Sequence, residues 1–469
     1  MAQTAIKTPG VYVNEIPLFP PSVAQVETAI PAFIGHTQKA ENELGESLMN
    51  KPTKIFSLKE YEQFFGGPEN QSDIKVTVNQ TKEGTAVTAL SAKAELPPEK
   101  VSKYKMFYSI RLYFANGGGP CYIVSAALTT ANITSATLEA GLNALSTADE
   151  PTIIVIPDGL ALAKDKYYDL MGKAIDQCVL LQDRFTLVDV HNEGANVTST
   201  INTFRSEFAK NDNLNYAAVY YPYLKTTFGY TYADSAVSVV IITNEAPAGA
   251  VKLDTLKTSQ TAIYNLCVDT IENKLSPTLA PSAAMAGIYA RVDGSRGVWK
   301  APANVSVNSV YELSTNISDV EQGSMNIDAT TGKSVNAIRS FQGKGFLVWG
   351  ARTLAGNDNE WRYVNVRRLF ITVEESAKKA TMQFVFEPND ANTWVKLRAM
   401  LENYLTLLWR QGALAGSKPE HAFYVRCGLN QTMTAQDILE GKLIVEIGMA
   451  AVRPAEFIIL RFSHKMQES

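Results

Sequence analysis

This sequence has few of the residues from which metal centres and covalent active sites are built. It contains four cysteines and four histidines in 469 residues. The histidines have neither HExxH nor HxH spacing, and no two cysteines form a CxxC pair. We interpret the cysteines as reduced, mostly buried small hydrophobic residues, and we predict no metal site and no cofactor. They are Cys121, Cys178, Cys267 and Cys427.

Charge is also scarce, and its balance is slightly acidic. Charged residues make up 19%, the net charge is −4 and the pI is about 5.8. A general nucleic-acid binder needs a basic surface that displaces counterions from phosphates, so we predict no nucleic-acid partner. No run approaches the roughly 20 apolar residues of a membrane-spanning helix, and the first residues lack the pattern of a signal peptide. The sequence therefore predicts no direct membrane insertion and assembly in the cytoplasm.

The glycine cluster GGGP (117–120) does not match a phosphate-binding loop. Such a loop needs glycines that precede a helix and are followed by Lys and Ser or Thr, or that fit GxGxxG. Here the glycines follow a predicted helix (103–115) and lead into a predicted strand (121–125). The favoured interpretation is a helix C-terminal cap and a tight turn.

Between 138 and 220, segments with helical periodicity alternate with short apolar runs, which is typical of an α/β layer around a buried sheet. Asp158 and Asp189 lie at predicted strand ends, where α/β enzymes place carboxylates. Aspartates after strands are more often loop caps, and neither has a His, Lys or metal motif beside it. No GxSxG motif is present either. We predict that the protein is not an enzyme, with a hydrolase-like α/β enzyme of unknown substrate as the alternative.

The second half of the chain begins after a Pro/Ser-rich stretch (274–281), which we interpret as a domain boundary. Two amphipathic helices with apolar residues on one face are predicted at 361–379 and 392–408. Earlier in the chain, 68–100 is polar with a short alternating segment. We interpret it as a surface hairpin or insertion outside the core.

Strand-forming segments lie at both ends of the chain. A short strand at 11–13 is followed by Pro17, Pro20 and Pro21, which is typical of an arm rather than a compact core. At the other end, two strand-like runs (443–448 and 454–462) close the sequence. An apolar edge strand is an aggregation liability unless something pairs with it.

Ten short phrases, spread in order along the chain, carry a resemblance to a known family. They are TPGVYVNE (8–15), PAFIGHT (31–37), FANGGGPCYIV (114–124), AGIYARVDGSRGVWKAPAN (286–304), VNAIRSF (335–341), VWGARTL (348–354), WRYVNVRRLFITVEES (361–376), FEPND (386–390), LWRQGALAG (408–416) and PAEFI (454–458). Together they resemble the tail sheath proteins of contractile phage tails and of phage-tail-like contractile injection systems. The resemblance is thinner across 68–100 and 128–281, and the proline usual shortly before PAEF is replaced by Ala450 and Ala451.

The resemblance implies an α/β (α+β) fold. A mixed-sheet C-terminal sheath domain is expected, with an inserted or preceding α/β domain and extended strand arms at both termini. The expected domains are an N-terminal arm (1–22), the first part of the core (23–127, with the polar insertion 68–100), an outer α/β domain (128–280), the C-terminal sheath domain (281–449) and a C-terminal arm (450–469).

The resemblance also implies a function. A sheath subunit polymerises helically around an inner tube and contracts from a metastable stretched state, driving the tube through a target envelope. The expected partners are copies of itself, sheath paralogues, the inner tube protein, and baseplate and terminal cap proteins, in a phage tail or related particle that is released or membrane-anchored. Another structural phage-particle component is a second alternative. The residues expected to extend neighbouring subunits' sheets by β-augmentation are Val11, Tyr12, Val13, Asn14, Glu15, Phe457, Ile458, Ile459, Leu460, Arg461 and Phe462.

Four basic residues lie on or after the first C-terminal helix: Arg367, Arg368, Lys378 and Lys379. One interpretation is that they meet an acidic tube surface. The other is a solvated helix end whose positive charge is favourably placed against the helix dipole.

Overall fold

The computed structural model describes residues 23–191 and 196–459. Within them the chain forms two compact units. The larger comprises Val26–Glu374 together with 453–459, and the smaller comprises Glu375–Val452 together with 23–25. The chain therefore enters the smaller unit within a helix and leaves it after Val452. The predicted domain bounds stay a prediction, although strands from both sides of 280/281 share one sheet.

The strands are mostly short. In chain order they are β1 (Pro31–Thr37), β2 (Thr53–Ile55), β3 (Lys75–Glu83), β4 (Ala86–Glu95), β5 (Cys121–Leu128), β6 (Ile153–Val155), β7 (Phe185–Asp189), β8 (Ala217–Tyr221), β9 (Leu224–Thr226), β10 (Ser238–Thr243), β11 (Ala246–Pro247), β12 (Val251–Lys252), β13 (Thr278–Leu279), β14 (Val305–Ser306), β15 (Val310–Leu313), β16 (Asn336–Phe341), β17 (Gly345–Val348), β18 (Phe423–Arg426) and β19 (Glu446–Met449).

The helices vary more widely in length. In chain order they are α1 (Leu58–Phe65), α2 (Met106–Ala115), α3 (Ser135–Leu145), α4 (Lys164–Leu181), α5 (Val197–Glu207), α6 (Leu253–Ser259), α7 (Thr261–Lys274), α8 (Ser282–Arg296), α9 (Asp319–Asn326), α10 (Val364–Thr381), α11 (Ala391–Arg410), α12 (Pro419–Ala422) and α13 (Ala435–Leu439).

A mixed sheet forms the centre of the larger unit. Its order is β14, β17, β16, β8, β7, β6, β1, β5 and β2. The strands from β16 to β5 pair in parallel, whereas β14, β17 and β2 pair antiparallel at the edges. Every residue of β1, β7 and β8 is buried, as expected for parallel strands covered by helices on both faces. The predicted α/β (α+β) class and its buried sheet are confirmed.

Helix α8 was not predicted, and it packs closely against α2. Its first half consists mainly of small apolar residues and is buried almost all round. A side-chain β-carbon added at Gly287 would lie 2.4 Å from the backbone oxygen of Tyr113 on α2, so glycine permits the approach. The predicted GGGP cap is confirmed: α2 ends at Ala115, and Gly117 takes a φ of +96° before β5 begins.

The polar stretch 68–100 contains a hairpin, as predicted. It consists of β3 and β4, joined at a two-residue turn that contains Gly84. Strand β3 also pairs in parallel with β10. The prediction that this stretch lies outside any core is wrong: Ile74, Val76 and Val78 are buried in a second hydrophobic cluster with residues of β10, α6 and α7. Alternating residues of β3 point into this cluster, while β4 is exposed over most of its length.

The smaller unit contains α11, α12, α13, β18, β19 and the last turns of α10. Both predicted amphipathic helices are confirmed, as α10 and α11. Asp390 caps α11 by accepting a hydrogen bond from the Thr393 backbone nitrogen at 3.0 Å. Leu397, Leu401 and Leu405 are buried along one helix face, as their spacing predicts.

Candidate assembly interface

The smaller unit carries a small antiparallel sheet made of β18 and β19. Phe423 lies opposite Met449, and Arg426 lies opposite Glu446. In the part of the chain that the structure describes, neither strand has a second neighbour. Two four-residue strands are marginally stable alone, and each outer edge presents backbone donors and acceptors to a further strand. The predicted run 443–448 corresponds to β19.

One face of this sheet packs inward and the other is accessible. Val425 is buried, whereas Tyr424 is 44% exposed and donates a hydrogen bond from its hydroxyl to Glu446 Oε1 at 2.8 Å. The Arg426 guanidinium lies 4.6 Å from the Tyr424 ring centroid. A β-carbon at Gly448 would lie 2.2 Å from the same ring, so glycine leaves room for Tyr424 to lie across the strand.

The C-terminal segment 453–459 returns to the larger unit. Within the single chain 454–459 forms no strand, and Phe457, Ile458 and Ile459 are 67%, 78% and 79% exposed. The predicted intersubunit strand at 454–462 thus stays a prediction about a neighbouring subunit. Other residues predicted for strand exchange lie outside the described residues: Val11, Tyr12, Val13, Asn14, Glu15, Leu460, Arg461 and Phe462.

Glu456 is the point at which this segment is held. Its carboxylate accepts hydrogen bonds from Arg352 Nη2 at 2.7 Å, Asn326 Nδ2 at 2.6 Å and the Tyr363 hydroxyl at 3.1 Å. Burial alone would raise the pKa of Glu456, but the Arg352 and Asn326 hydrogen bonds and the Arg352 charge outweigh burial and lower it. Sequence patterns alone do not indicate this contact, although Glu456 lies in PAEFI and Arg352 in VWGARTL.

Two of the four basic residues weighed as tube-facing are buried inside the larger unit. Arg367 is 5% exposed and donates to the Tyr216 hydroxyl at 2.9 Å and to Glu374 Oε2 at 3.0 Å. Arg368 is 3% exposed and forms a bidentate pair with Asp293. Neither guanidinium is presented on the surface of the chain.

Lys378 and Lys379 differ from these arginines because they lie near the end of α10 in the smaller unit. The Lys378 side chain is 57% exposed and its ammonium lies 3.4 Å from Glu375 Oε2. The Lys379 side chain is 35% exposed and lies 3.2 Å from Glu375 Oε1. Of the four basic residues these two are thus the more exposed, and a tube-facing role for them stays a prediction.

The two aspartates weighed as catalytic candidates act as buried caps. Asp158 accepts hydrogen bonds from the backbone nitrogens of His36 at 2.7 Å and Lys105 at 2.6 Å. Asp189 accepts from the Ser282 backbone nitrogen at 3.0 Å and hydroxyl at 2.5 Å, at the start of α8. Burial raises the pKa of Asp158 to about 6 and that of Asp189 to about 7, although these hydrogen bonds oppose the rise.

A cavity of about 270 Å³ is lined by residues that include Asp189, Lys105 and Tyr223. In residues 23–191 and 196–459, no group of three or more His, Cys, Asp and Glu side chains is arranged to hold a metal ion. None of the helices in the same ranges is long and apolar enough to cross a membrane.

A family model and solved structures match this chain. The model of the phage tail sheath C-terminal domain matches residues 356–465. Among solved structures, the sheath complex of the extracellular contractile injection system PVC, in its contracted state, is 31% identical over 98% of this chain and 99% of that chain, with a TM-score of 0.65. The contracted helical sheath of the anti-feeding prophage AFP is also 31% identical, over 98% and 100% of the two chains, with a TM-score of 0.64.

Curated relatives match over a shorter stretch. The tail sheath protein of Vibrio phage KVP40 is 24% identical over 179 residues, which is 38% of this chain and 25% of the relative. The match thus spans about a quarter of that relative's length. The two contracted sheaths, by contrast, are matched over 99% and 100% of their chains.

Proposed function

This chain belongs to the family of tail sheath proteins found in contractile phage tails and phage-tail-like contractile injection systems, and on that basis we propose that it polymerises helically around an inner tube and contracts. Contraction from a metastable stretched state drives the tube through a target envelope. The observation that carries the proposal is the 31% identity over 98% of the chain to a contracted sheath. A match over 98% of the chain includes most of both compact units.

Strand exchange supplies the link between subunits in this proposal. Residues Val11–Glu15 of one neighbour and Phe457–Phe462 of another add to the two edges of the β18 and β19 sheet. The four-residue strands and the three exposed apolar residues at 457–459 support it. Such a contact joins two different surfaces and does not close on itself, so it builds an open helix rather than a ring.

The strength of one exchanged strand follows from its apolar residues. Burying three large side chains at 457–459 stabilises the exchanged strand in the neighbouring subunit by roughly 5–9 kcal/mol. Ordering three residues opposes this by about 3–6 kcal/mol of backbone entropy. The difference ranges from about −1 to +6 kcal/mol, so one exchanged strand does not by itself secure the link. The sheath also relies on the second arm, on backbone hydrogen bonds and on contacts between the subunit bodies.

Contraction then depends on contacts that differ between two lattices. The arms keep subunits linked while their bodies rotate and slide, and the difference in body contacts supplies the driving free energy. A bias of about 5.5 kcal/mol shifts a two-state unit from 1:99 to 99:1. Hundreds of coupled subunits need far less each, and no nucleotide is required for the stroke. The stretched state is held by the baseplate and by contacts with the tube.

The partners in this proposal are further copies of the chain, sheath paralogues, the inner tube protein, and baseplate and terminal cap proteins. Lys378 and Lys379 meet an acidic tube surface. The particle is assembled in the cytoplasm and is then released or membrane-anchored.

A structural role without enzymatic activity is part of the proposal. Asp158 and Asp189 hold loops and helix starts together through hydrogen bonds from backbone nitrogens. Membership of a structural sheath family supports this role over an α/β enzyme or another particle component.

Negative-stain microscopy of the purified full-length chain tests the proposal. Hollow ribbed cylinders are expected, and a chain that remains monomeric at high concentration would contradict it. Three truncations then locate the links: removal of 1–14, of 460–469, or of everything after Ala451. Each is expected to leave a folded subunit, judged by circular dichroism, that forms no cylinders. Intact cylinders from the first or the third variant would refute strand exchange, and intact cylinders from the second would remove 460–462 from the exchanged strand.

A further inference from the structure

The Arg352 guanidinium is held in place before it meets the C-terminal segment. Its side chain is 4% exposed. Its Nη1 donates to the carbonyl oxygens of Gly356 at 3.2 Å and Asn326 at 3.3 Å. The Arg352 backbone nitrogen donates to Asn336 Oδ1 at 2.7 Å, and the Asn336 amide donates back to the Arg352 carbonyl at 2.8 Å. A charged fork with so little freedom loses little entropy when it binds a carboxylate.

The Glu456 carboxylate completes this arrangement. Arg352 Nε lies 3.0 Å from Oε1 and Nη2 lies 2.7 Å from Oε2, which is the bidentate geometry of strong guanidinium–carboxylate pairs. Asn326 and Tyr363 donate to the same carboxylate, so three separate parts of the larger unit converge on one side chain. The residues that follow, 457–459, are largely exposed.

We infer that Glu456 is the anchor of the C-terminal arm, fixing to the larger unit the point from which the arm leaves the subunit. This inference rests on the proposed function and adds to it a load path, meaning the route by which force from a neighbouring subunit enters this one. The chain leaves the smaller unit after Val452 and is anchored at Glu456, four residues later. A pull by the neighbouring subunit on 457–462 therefore passes directly into the larger unit, and the smaller unit is not drawn out by its own C-terminus.

The first test uses the full-length subunit at a concentration where it is unpolymerised. Chymotrypsin cleavage after Phe457, which is 67% exposed, reports how often the segment detaches. Glu456→Gln keeps the side chain's size but removes the charge that Arg352 binds. Cleavage is expected to be about tenfold faster or more, since proteolysis follows the population of the open segment. Arg352→Lys, which loses the fork, is expected to act in the same direction.

The matched control is Asp319→Asn, which removes a surface pair with Arg339 in the same unit. It is expected to leave cleavage after Phe457 unchanged. The thermal midpoint separates anchoring from general stability: Glu456→Gln is expected to shift it by less than about 2 °C, because the pair joins a terminal segment. Unchanged cleavage in Glu456→Gln, or acceleration that only accompanies a large fall in the midpoint, would overturn the inference.

The second test measures assembly of the same variants. Cylinders of Glu456→Gln are expected to be at least threefold shorter than those of the wild type, while Asp319→Asn cylinders keep their length. Suppose that the wild type forms cylinders and that Glu456→Gln is cleaved faster. Glu456→Gln cylinders as long as those of the wild type would then show that force does not pass through Glu456. If the wild type forms no cylinders, the proposed function fails, whereas the cleavage test still decides whether Glu456 is an anchor.

Discussion

The buried pair between Arg368 and Asp293 offers a direct test of where the structure places Arg368. Arg368 Nη2 lies 2.5 Å from Asp293 Oδ2 and Nη1 lies 3.1 Å from Oδ1. The side chains are 3% and 5% exposed. Thr28 completes the site, since its carbonyl accepts from Arg368 at 2.8 Å and its hydroxyl donates to Asp293 at 2.6 Å. The guanidinium also lies 4.6 Å from the Tyr289 ring centroid.

Asp293→Asn removes the negative charge with almost no change in volume. A buried guanidinium then lacks its counter-charge, and breaking such a pair costs about 3–5 kcal/mol. The larger unit has roughly 350 residues, so its unfolding entropy near 60 °C is about 0.7 kcal/mol per kelvin. The expected fall in the thermal midpoint is therefore about 4–7 °C.

Thermal unfolding of the unpolymerised full-length chain, followed by circular dichroism, measures this fall. The control is Asp319→Asn, whose carboxylate is 91% exposed beside Arg339. Surface pairs contribute about 0–1 kcal/mol, so its midpoint is expected to fall by no more than about 1.5 °C. A midpoint for Asp293→Asn within 1 °C of the wild type would refute the buried placement and reopen a surface role for Arg368.

Three further predictions follow from the same structure. Gly287→Ala forces α8 against the Tyr113 carbonyl and is expected to destabilise the folded chain by about 1–3 kcal/mol. Gly294→Ala has open space around it and is expected to stabilise the chain by about 0.5–1 kcal/mol through helix propensity. Shifts of the denaturant midpoint in opposite directions are expected for the two variants, and shifts in the same direction would contradict this. The folded-state pKa of Glu456 is lowered, so the Arg352 pair contributes stability above the unfolded pKa of about 4.3 and loses it as pH falls further. Proteolysis after Phe457, divided at each pH by the cleavage rate of an unstructured peptide of the same sequence, is expected to be constant from about pH 8 to 5 and faster below about 4. A flat profile would contradict this. Lys378→Gln with Lys379→Gln is expected to weaken tube binding with a midpoint change of less than about 2 °C, measured by co-sedimentation with tubes; unchanged binding would remove the basic surface from the proposal.

Periodicity in the sequence predicted some helices well and missed one at the centre of the fold. Helices α10 and α11 were predicted because each places apolar residues on one face and polar residues on the other. Helix α8 has no such contrast, since its first eight residues are buried on every side. Its role depends on the close approach at Gly287, which only the tertiary structure reveals.

The candidate interface was predictable to the extent that it depends on local sequence. The strand-like runs led to β19 and to the exposed residues 457–459. Burial of Arg367 and Arg368 was not predictable, because helical spacing says nothing about the carboxylates and aromatic rings brought to them from distant parts of the chain. The Glu456 anchor was missed for the same reason: its partners lie 93 to 130 residues away in sequence.

The β3 and β4 hairpin has a consequence for how this chain can vary in length. Its turn at Gly84 has no other heavy atom within contact distance of an added side chain, and the outer strand faces solvent over most of its length. Doubling the length of such a loop costs only about 0.6 kcal/mol of closure entropy, while the buried residues of β3 keep the base in register. Insertions and deletions at this turn therefore cost little, which is a physical reason for the thinner resemblance across 68–100.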